Sequence, residues 1–125
     1  MIHNSKEEHD LYTNQMLSNL ANDEKAFAID KYPPFHSNHE AYAILLEELD
    51  ESIESLESVK KNIADLWKMI RADWSNEEVI SQFNKIAFEA KLTAGEVIQV
   101  YAVALKAIEQ LGGKKNETIS KIIKP

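Results

Sequence analysis

The chain has 125 residues, of which 14 are basic and 21 acidic, and its formal net charge is −7. It contains no cysteine and only 3 glycines and 3 prolines, which excludes disulfides and thiolate metal sites and disfavours a sandwich or barrel with frequent turns. The acidic balance argues against nucleic acid as a partner, and the lack of a long apolar run or a secretory signal predicts a cytoplasmic protein with no membrane partner.

The first predicted element is a helix over residues 5–30. Its apolar residues are sparse and follow a helical period only approximately. The helix ends before Pro33 and Pro34, because each proline holds the preceding residue in an extended conformation and lacks a backbone N–H. These prolines separate the N-terminal helix from a helical core that we predict over residues 37–111.

A second helix is predicted over residues 38–72. Ser37 and Glu40 have the spacing of a capping box, in which the serine side chain caps the helix and the acid caps the serine backbone in return. Apolar residues then recur in alternating steps of four and three, provided that Lys60 occupies one place in the series: Leu49, Ile53, Leu56, Ile63, Trp67 and Ile70. We call this series the apolar seam; its spacing is typical of two helices that lie nearly parallel, as in an antiparallel bundle.

A second capping box, Ser75 with Glu78, begins the third predicted helix. This helix runs to Leu111, where two glycines follow as a stop signal. Gly95 lies inside it, and a glycine within a helix costs about 1 kcal/mol relative to alanine, so either the helix breaks there or another helix approaches closely. Residues 97–105 are almost entirely apolar, which predicts a segment that is buried on most sides.

Together these elements predict an all-α fold, an antiparallel bundle of long helices. We expect one helical domain over residues 1–113 and a basic C-terminal tail over residues 114–125. A chain of this length with an apolar seam and a nearly all-apolar segment needs a partner surface that buries them. We therefore expect a homodimer or a higher homo-oligomer, with a dimer completing a four-helix core as the first choice.

The strongest candidate for chemistry is an acidic run on the second helix, Glu47, Glu48, Asp50 and Glu51. Residues 40–57 contain seven acids and no base. Like charges three or four residues apart destabilise a helix, and a divalent cation, which prefers carboxylate oxygens, would offset that repulsion. The alternative is an acidic face that is simply solvated.

A second candidate is Glu96, at the entrance of the apolar segment of the third helix. A carboxylate that is partly buried there must be neutral, paired or bound to a metal. The alternatives are an ion pair with Lys91 or another base, and a side chain that faces water. If Glu96 instead faced Glu48 and Glu51 across a helix pair, three carboxylates would converge, which strongly favours a metal ion.

Two weaker candidates concern phosphate. His36 and His39 lie beside the start of the second helix, where free backbone N–H groups attract anions, and an exposed entry loop is the simpler explanation. Arg71, together with Lys68, belongs to a modest basic stripe at the end of that helix. The stripe suits a polyphosphate, and ordinary surface charge is the alternative.

The acidic motifs resemble those of a known family. Glu47, Glu48 and Glu51 fit the pattern E-E-x-x-E, and Glu96 begins a later E-x-x-D motif in which Gln99 stands in place of the aspartate. In this order of motifs the chain resembles the MazG-like group of all-α nucleoside triphosphate pyrophosphohydrolases. Two further segments look like small phage-associated members of this group: residues 33–42 and residues 96–102.

The resemblance implies an enzyme that hydrolyses a nucleoside triphosphate between its α and β phosphates, releasing a monophosphate and pyrophosphate. It implies Mg²⁺ as the cofactor, with Mn²⁺ as an alternative ion, and an oligomer that completes the helical bundle. It also implies that Glu48, Glu51 and Glu96 bind the metal and that Glu47 positions or deprotonates the attacking water.

The substrate-binding residues are expected to be Lys68 and Arg71, which would neutralise the departing pyrophosphate, and Gln99 at the position of the family's aspartate. An amide can ligate a metal through its carbonyl oxygen, but it brings no charge. The departure at Gln99 therefore keeps two other functions open. One is a non-catalytic helical scaffold, and the other is a phage protein that binds a nucleotide without cleaving it.

Overall fold

The computed structural model describes residues 5–112, which form three helices and no strand. The helices are α1 (Lys6–Lys31), α2 (Asn38–Arg71) and α3 (Asn76–Gly112). The all-α prediction is confirmed, and each helix bound lies within one residue of its predicted position. The predicted basic tail, residues 114–125, lies outside the described residues. No helix among the described residues has the length and apolar character needed to cross a membrane.

Serine side chains cap the start of all three helices, each accepting a hydrogen bond from a backbone N–H three residues later. The capped pairs are Ser5 with Glu8 at 3.1 Å, Ser37 with Glu40 at 3.1 Å and Ser75 with Glu78 at 3.2 Å. In a capping box the acid is expected to accept a hydrogen bond from the backbone N–H of the capping serine. Neither of the two predicted boxes makes that bond to the serine N–H. The Glu40 carboxylate accepts from the backbone N–H of His36 at 3.0 Å, and the Glu78 carboxylate accepts from the Ser75 hydroxyl at 2.9 Å.

The turn between α2 and α3 reverses the chain within four residues. Asp73 adopts a left-handed backbone conformation with φ 59, and its N–H donates to the Ile70 carbonyl at 3.1 Å. The next N–H, from Trp74, donates to the Met69 carbonyl at 3.1 Å. This pair of bonds is the Schellman pattern that terminates helices, and it directs α3 back along α2.

The chain divides into two compact units, residues 46–97 and the two segments on either side of that range. Because α2 and α3 each run through both units, the prediction of one helical domain over residues 1–113 stays a prediction.

The unit of residues 46–97 is an antiparallel hairpin whose two helices are joined by hydrogen bonds from polar side chains. The Ser55 hydroxyl lies 2.7 Å from the Thr93 hydroxyl, and the Ser58 hydroxyl donates to the Glu89 carboxylate at 2.8 Å. Further along, the Gln82 amide donates to the backbone carbonyl of Asn62 at 2.8 Å. Later residues of α2 are bonded to earlier residues of α3, so the two helices run in opposite directions.

The apolar seam does not lie in this contact. Its six members, Leu49, Ile53, Leu56, Ile63, Trp67 and Ile70, are each 42–59% exposed. In the part of α2 that belongs to the hairpin, the buried positions are instead Ser52 and Asn62, each one residue before a seam position. One residue along a helix is a rotation of about 100°, which turns the seam away from α3.

The other unit contains α1, the start of α2 and the end of α3. The hydroxyls of Ser18 on α1 and Tyr101 on α3 lie 3.4 Å apart. Further towards the C-terminus of both helices, the Lys25 ammonium lies 3.1 Å from the Glu109 carboxylate. The two helices therefore run in the same direction in this unit. Its buried apolar residues are small, namely Ala21, Ala41 and Ala102.

Lys106 anchors the loop between α1 and α2. Its side chain is only 5% exposed, and its ammonium group donates to the Pro33 carbonyl at 3.3 Å. The same ammonium lies 4.4 Å from the centre of the Phe35 ring, a cation–π contact. The Phe35 N–H in turn donates to the Gln110 side chain at 2.9 Å. Sequence reasoning missed this residue, although Lys106 is the first base after a long apolar stretch.

Both predictions about Gly95 are wrong for the described chain. The helix α3 continues through it without a break, and a Cβ placed on it would meet nothing within 4 Å. The apolar segment of residues 97–105 is half-buried at six of its nine positions. It includes the buried Ala102, while Val97 and Tyr101 are exposed.

Candidate metal centre

Three carboxylates converge at one end of the antiparallel hairpin. Glu48 and Glu51 come from α2 and Glu96 comes from α3. Each offers one carboxylate oxygen, and the three oxygens lie within 4.8 Å of one another. The predicted convergence of these side chains is confirmed, and this acidic triad is able to hold a metal ion.

The triad is assembled by helix spacing and by hairpin register. Glu48 and Glu51 are three residues apart, so they share one face of α2. Glu96 reaches them because the Ser55–Thr93 and Ser58–Glu89 hydrogen bonds set the register of α3 against α2. These small polar contacts were not predicted from the sequence. The pattern that could have indicated them is the three-residue spacing of Ser52, Ser55 and Ser58 along α2.

The electrostatics of the triad centre on Glu48. Its side chain is half-buried, as is Glu96, while Glu51 is exposed. Burial raises the pKa of the Glu48 carboxyl above its ordinary value, and the charges of Glu51, Glu96 and Glu47 raise it further. The negative charges therefore repel one another, and the proton is bound more tightly at Glu48 than in water.

No base offsets this repulsion among the described residues. None of the three acids forms an ion pair with a lysine, arginine or histidine there, so the predicted alternative of a Glu96–Lys91 pair is wrong. Adjacent carboxylates without a cationic side chain suit a hard divalent cation. Three protein oxygens would leave coordination positions for water or for a phosphate.

Glu47, the predicted catalytic residue, precedes Glu48 on α2 and is exposed. It is not one of the three converging ligands, but its charge reaches Glu48, where it raises the pKa. Glu47 therefore lies next to the triad without belonging to it. A residue that acts as a general base has to be near the metal ligands without being one of them.

Lys68 and Arg71 are not brought to the triad within one chain. Both lie in the last turn of α2, and at a rise of 1.5 Å per residue Lys68 is about 30 Å from Glu48 along the helix. A triphosphate held at the triad is too short to reach either of them in the same chain. Their assignment to pyrophosphate binding within one chain therefore fails on distance.

Gln99 is already engaged elsewhere. It lies in the unit that contains α1, where its side-chain amide donates to the Glu24 carboxylate at 3.0 Å. Its role in substrate binding stays a prediction. Of the two histidines, His36 lies 3.3 Å from the Glu40 carboxylate, and His39 is exposed.

Comparison with known proteins does not assign the chain to a family. The chain was compared with family models, with curated proteins and with solved structures, and no match was found. The acidic triad and its surroundings therefore carry the information about function, since one fold can host many functions.

Proposed function

We propose that this protein is a Mg²⁺-dependent nucleoside triphosphate pyrophosphohydrolase of the MazG-like type. The observation that carries the proposal is the convergence of Glu48, Glu51 and Glu96, with no ion-paired base beside them among residues 5–112. Mg²⁺ takes carboxylate oxygens, retains several water positions and is commonly shared between protein acids and substrate phosphates. Mn²⁺ has similar preferences and is the alternative ion.

The reaction assigns separate tasks to the acids. A metal ion held by these acids would neutralise charge on the phosphates and help to activate a water molecule. Glu48, Glu51 and Glu96 hold the cation, and Glu47 positions the attacking water and accepts its proton. The water oxygen forms a new bond to phosphorus as the bridge between the α and β phosphates breaks, which yields a monophosphate and pyrophosphate.

The test is pyrophosphate release from a panel of canonical and modified triphosphates with Mg²⁺ or Mn²⁺. We expect turnover by the wild type and a loss of at least about 100-fold in Glu48→Gln, since a metal ligand is removed. Glu54→Gln is the matched control, because it removes the same charge from an exposed position on the same helix. Equal release by the wild type and Glu48→Gln would refute the hydrolase proposal.

A second function, nucleotide binding without cleavage by a phage protein, is favoured by one observation. The position of the family's aspartate is Gln99, whose amide is bonded to Glu24. Calorimetry with a triphosphate and Mg²⁺ distinguishes the two functions: binding that needs Glu48 but releases no pyrophosphate supports this second function. If calorimetry detects no metal binding at all, the helical scaffold remains as the third explanation.

A further inference from the structure

The N-terminal helix α1 makes few strong contacts with the rest of its compact unit. Of its 26 residues only Ala21 is buried. Its bonds to α3, from Lys25 to Glu109 and from Gln99 to Glu24, join side chains that are at least partly exposed. Contacts of this kind contribute little to stability, because water competes for the polar groups. Helix α1 therefore depends on a further anchor to stay docked.

That anchor lies at the end of α1, in the loop that joins it to α2. Lys106 reaches into this loop from α3 and is buried. Its ammonium group donates to the Pro33 carbonyl at 3.3 Å, and it lies 4.4 Å from the centre of the Phe35 ring and 6.0 Å from that of Tyr32. At these distances a cation is attracted to the face of an aromatic ring. We call Lys106 together with Tyr32, Pro33 and Phe35 the lysine clasp.

The lysine clasp holds its cation without an acidic partner. Among residues 5–112 no carboxylate lies within ion-pair distance of the Lys106 ammonium. Burial of a cation is costly unless other groups replace the water that it loses, and here a backbone carbonyl and aromatic rings do so. Aromatic cages for organic cations use the same chemistry. The clasp is therefore a binding site for an ammonium group, and the chain fills it with its own lysine.

The loop is also fixed on both sides of the clasp. The Phe35 N–H donates to the Gln110 side chain at 2.9 Å, and the His36 N–H donates to the Glu40 carboxylate at 3.0 Å. Hydrogen bonds from His36 lower the pKa of the Glu40 carboxyl, and the Lys106 charge lowers it further. The buried ammonium thus acts on both ends of the loop, through its direct contacts and through its charge.

We propose that the lysine clasp keeps α1 docked only while Lys106 carries its charge, and that α1 and its loop open as one unit when the charge is lost. The hairpin of residues 46–97 keeps its structure, because its helices are joined by hydrogen bonds of their own, such as Ser55–Thr93. Segments with few buried contacts open at a lower free energy than the whole molecule. The proposal does not depend on the hydrolase function.

Amide hydrogen exchange followed by mass spectrometry tests the clasp in the full chain. Lys106→Met removes the charge and keeps an unbranched side chain of similar length. We expect exchange in residues 6–35 to become at least about 10-fold faster, because a buried cation–π contact is lost and the open form is populated more. Exchange in residues 46–97 should not change. Lys91→Met is the matched control, because it removes the same charge from an exposed position of α3.

The methionine variant separates a charge-dependent clasp from a lysine that only fills space. For a space-filling residue, methionine would serve at least as well, since an apolar side chain in place of a buried charge is commonly neutral or stabilising. Equal exchange of α1 in the wild type and Lys106→Met overturns the proposal. An increase of the same size in the hairpin also overturns it, because the effect would then be global.

A double-mutant cycle tests whether the ammonium acts through the Phe35 ring. Phe35→Leu removes the ring and keeps an apolar side chain in the loop. If the two groups form one clasp, Lys106→Met combined with Phe35→Leu should open α1 little more than either single change does. Independent effects that multiply in the double variant would show that Lys106 acts elsewhere, which overturns the proposal.

Chemical rescue tests the class of ligand. Lys106→Ala removes the side chain beyond Cβ, and propylammonium chloride supplies the missing carbon chain and charge. We expect tens of millimolar propylammonium to slow the exchange of α1 in this variant, whereas 1-propanol or sodium chloride at the same concentration should not. If 1-propanol is as effective as propylammonium, or if none of the three slows exchange, the assignment of an ammonium site is wrong.

Discussion

At the scale of single residues, Glu48 shows how far the candidate site can be predicted from sequence. The i,i+3 spacing to Glu51 already places the two acids on one face of a helix. Glu96 is 45 positions further along the chain than Glu51, and helix periodicity says nothing about which face of α2 it meets. Its placement depends on hydrogen bonds such as Ser55–Thr93, which link residues 38 positions apart.

Glu40 carries a pH-dependent contribution to stability. Hydrogen bonds from the backbone N–H and the side chain of His36 lower the pKa of the Glu40 carboxyl below its ordinary value of 4.5. A lowered carboxyl pKa in the folded state stabilises the protein above the unfolded pKa and stops doing so as the pH falls through the folded pKa. We therefore expect Glu40→Gln to be less stable than wild type at pH 7, with the difference shrinking as the pH falls through the folded pKa of Glu40.

Urea unfolding at pH 7 and pH 3 measures this difference. Glu57→Gln is the control, because it removes the same charge from an exposed position on the same helix. The account of Glu40 is wrong if Glu40→Gln and Glu57→Gln show the same change between the two pH values.

At the scale of helices, bounds and contacts differ in how well they follow from sequence. The bounds were predicted within one residue because prolines and serine caps act on their nearest neighbours. The spacing of the apolar seam predicts that its residues share one face of α2, but it does not predict which surface packs against that face. The structure places the polar residues Ser55 and Asn62 between the helices and leaves the seam exposed.

Gly95 is a helix position where a substitution should stabilise the protein. It lies within α3, and a Cβ there meets nothing within 4 Å. Gly95→Ala removes conformational freedom from the unfolded chain, so we expect a gain of about 0.5–1 kcal/mol in the free energy of unfolding. Chemical denaturation of Gly95→Ala and wild type measures the gain, and a loss of stability would show that another surface occupies this space.

At the scale of the whole molecule, the buried apolar core is too small to account for stability. In residues 5–112 it consists of three alanines, Ala21, Ala41 and Ala102. Small domains need most of their apolar surface buried to offset the entropy of folding. Folding and association are therefore expected to be coupled.

Coupling of this kind makes the melting temperature depend on protein concentration. Association favours the folded state by mass action, so we expect the wild-type melting temperature to rise by a few degrees for each tenfold increase in chain concentration. Leu56→Glu, which places a charge on the exposed apolar seam, should show no such dependence. Thermal denaturation followed by circular dichroism measures both, and a wild-type melting temperature that does not change with concentration contradicts coupled folding.

The sequence by itself determined the helices, their ends and the acidic face of α2, because each depends on interactions within one or two turns. Only the tertiary structure decided that Glu96 joins Glu48 and Glu51 and that the apolar seam faces outward. The physical reason is that the register and rotation of one helix against another are set by contacts between residues far apart in the chain, and local periodicity is compatible with several such arrangements.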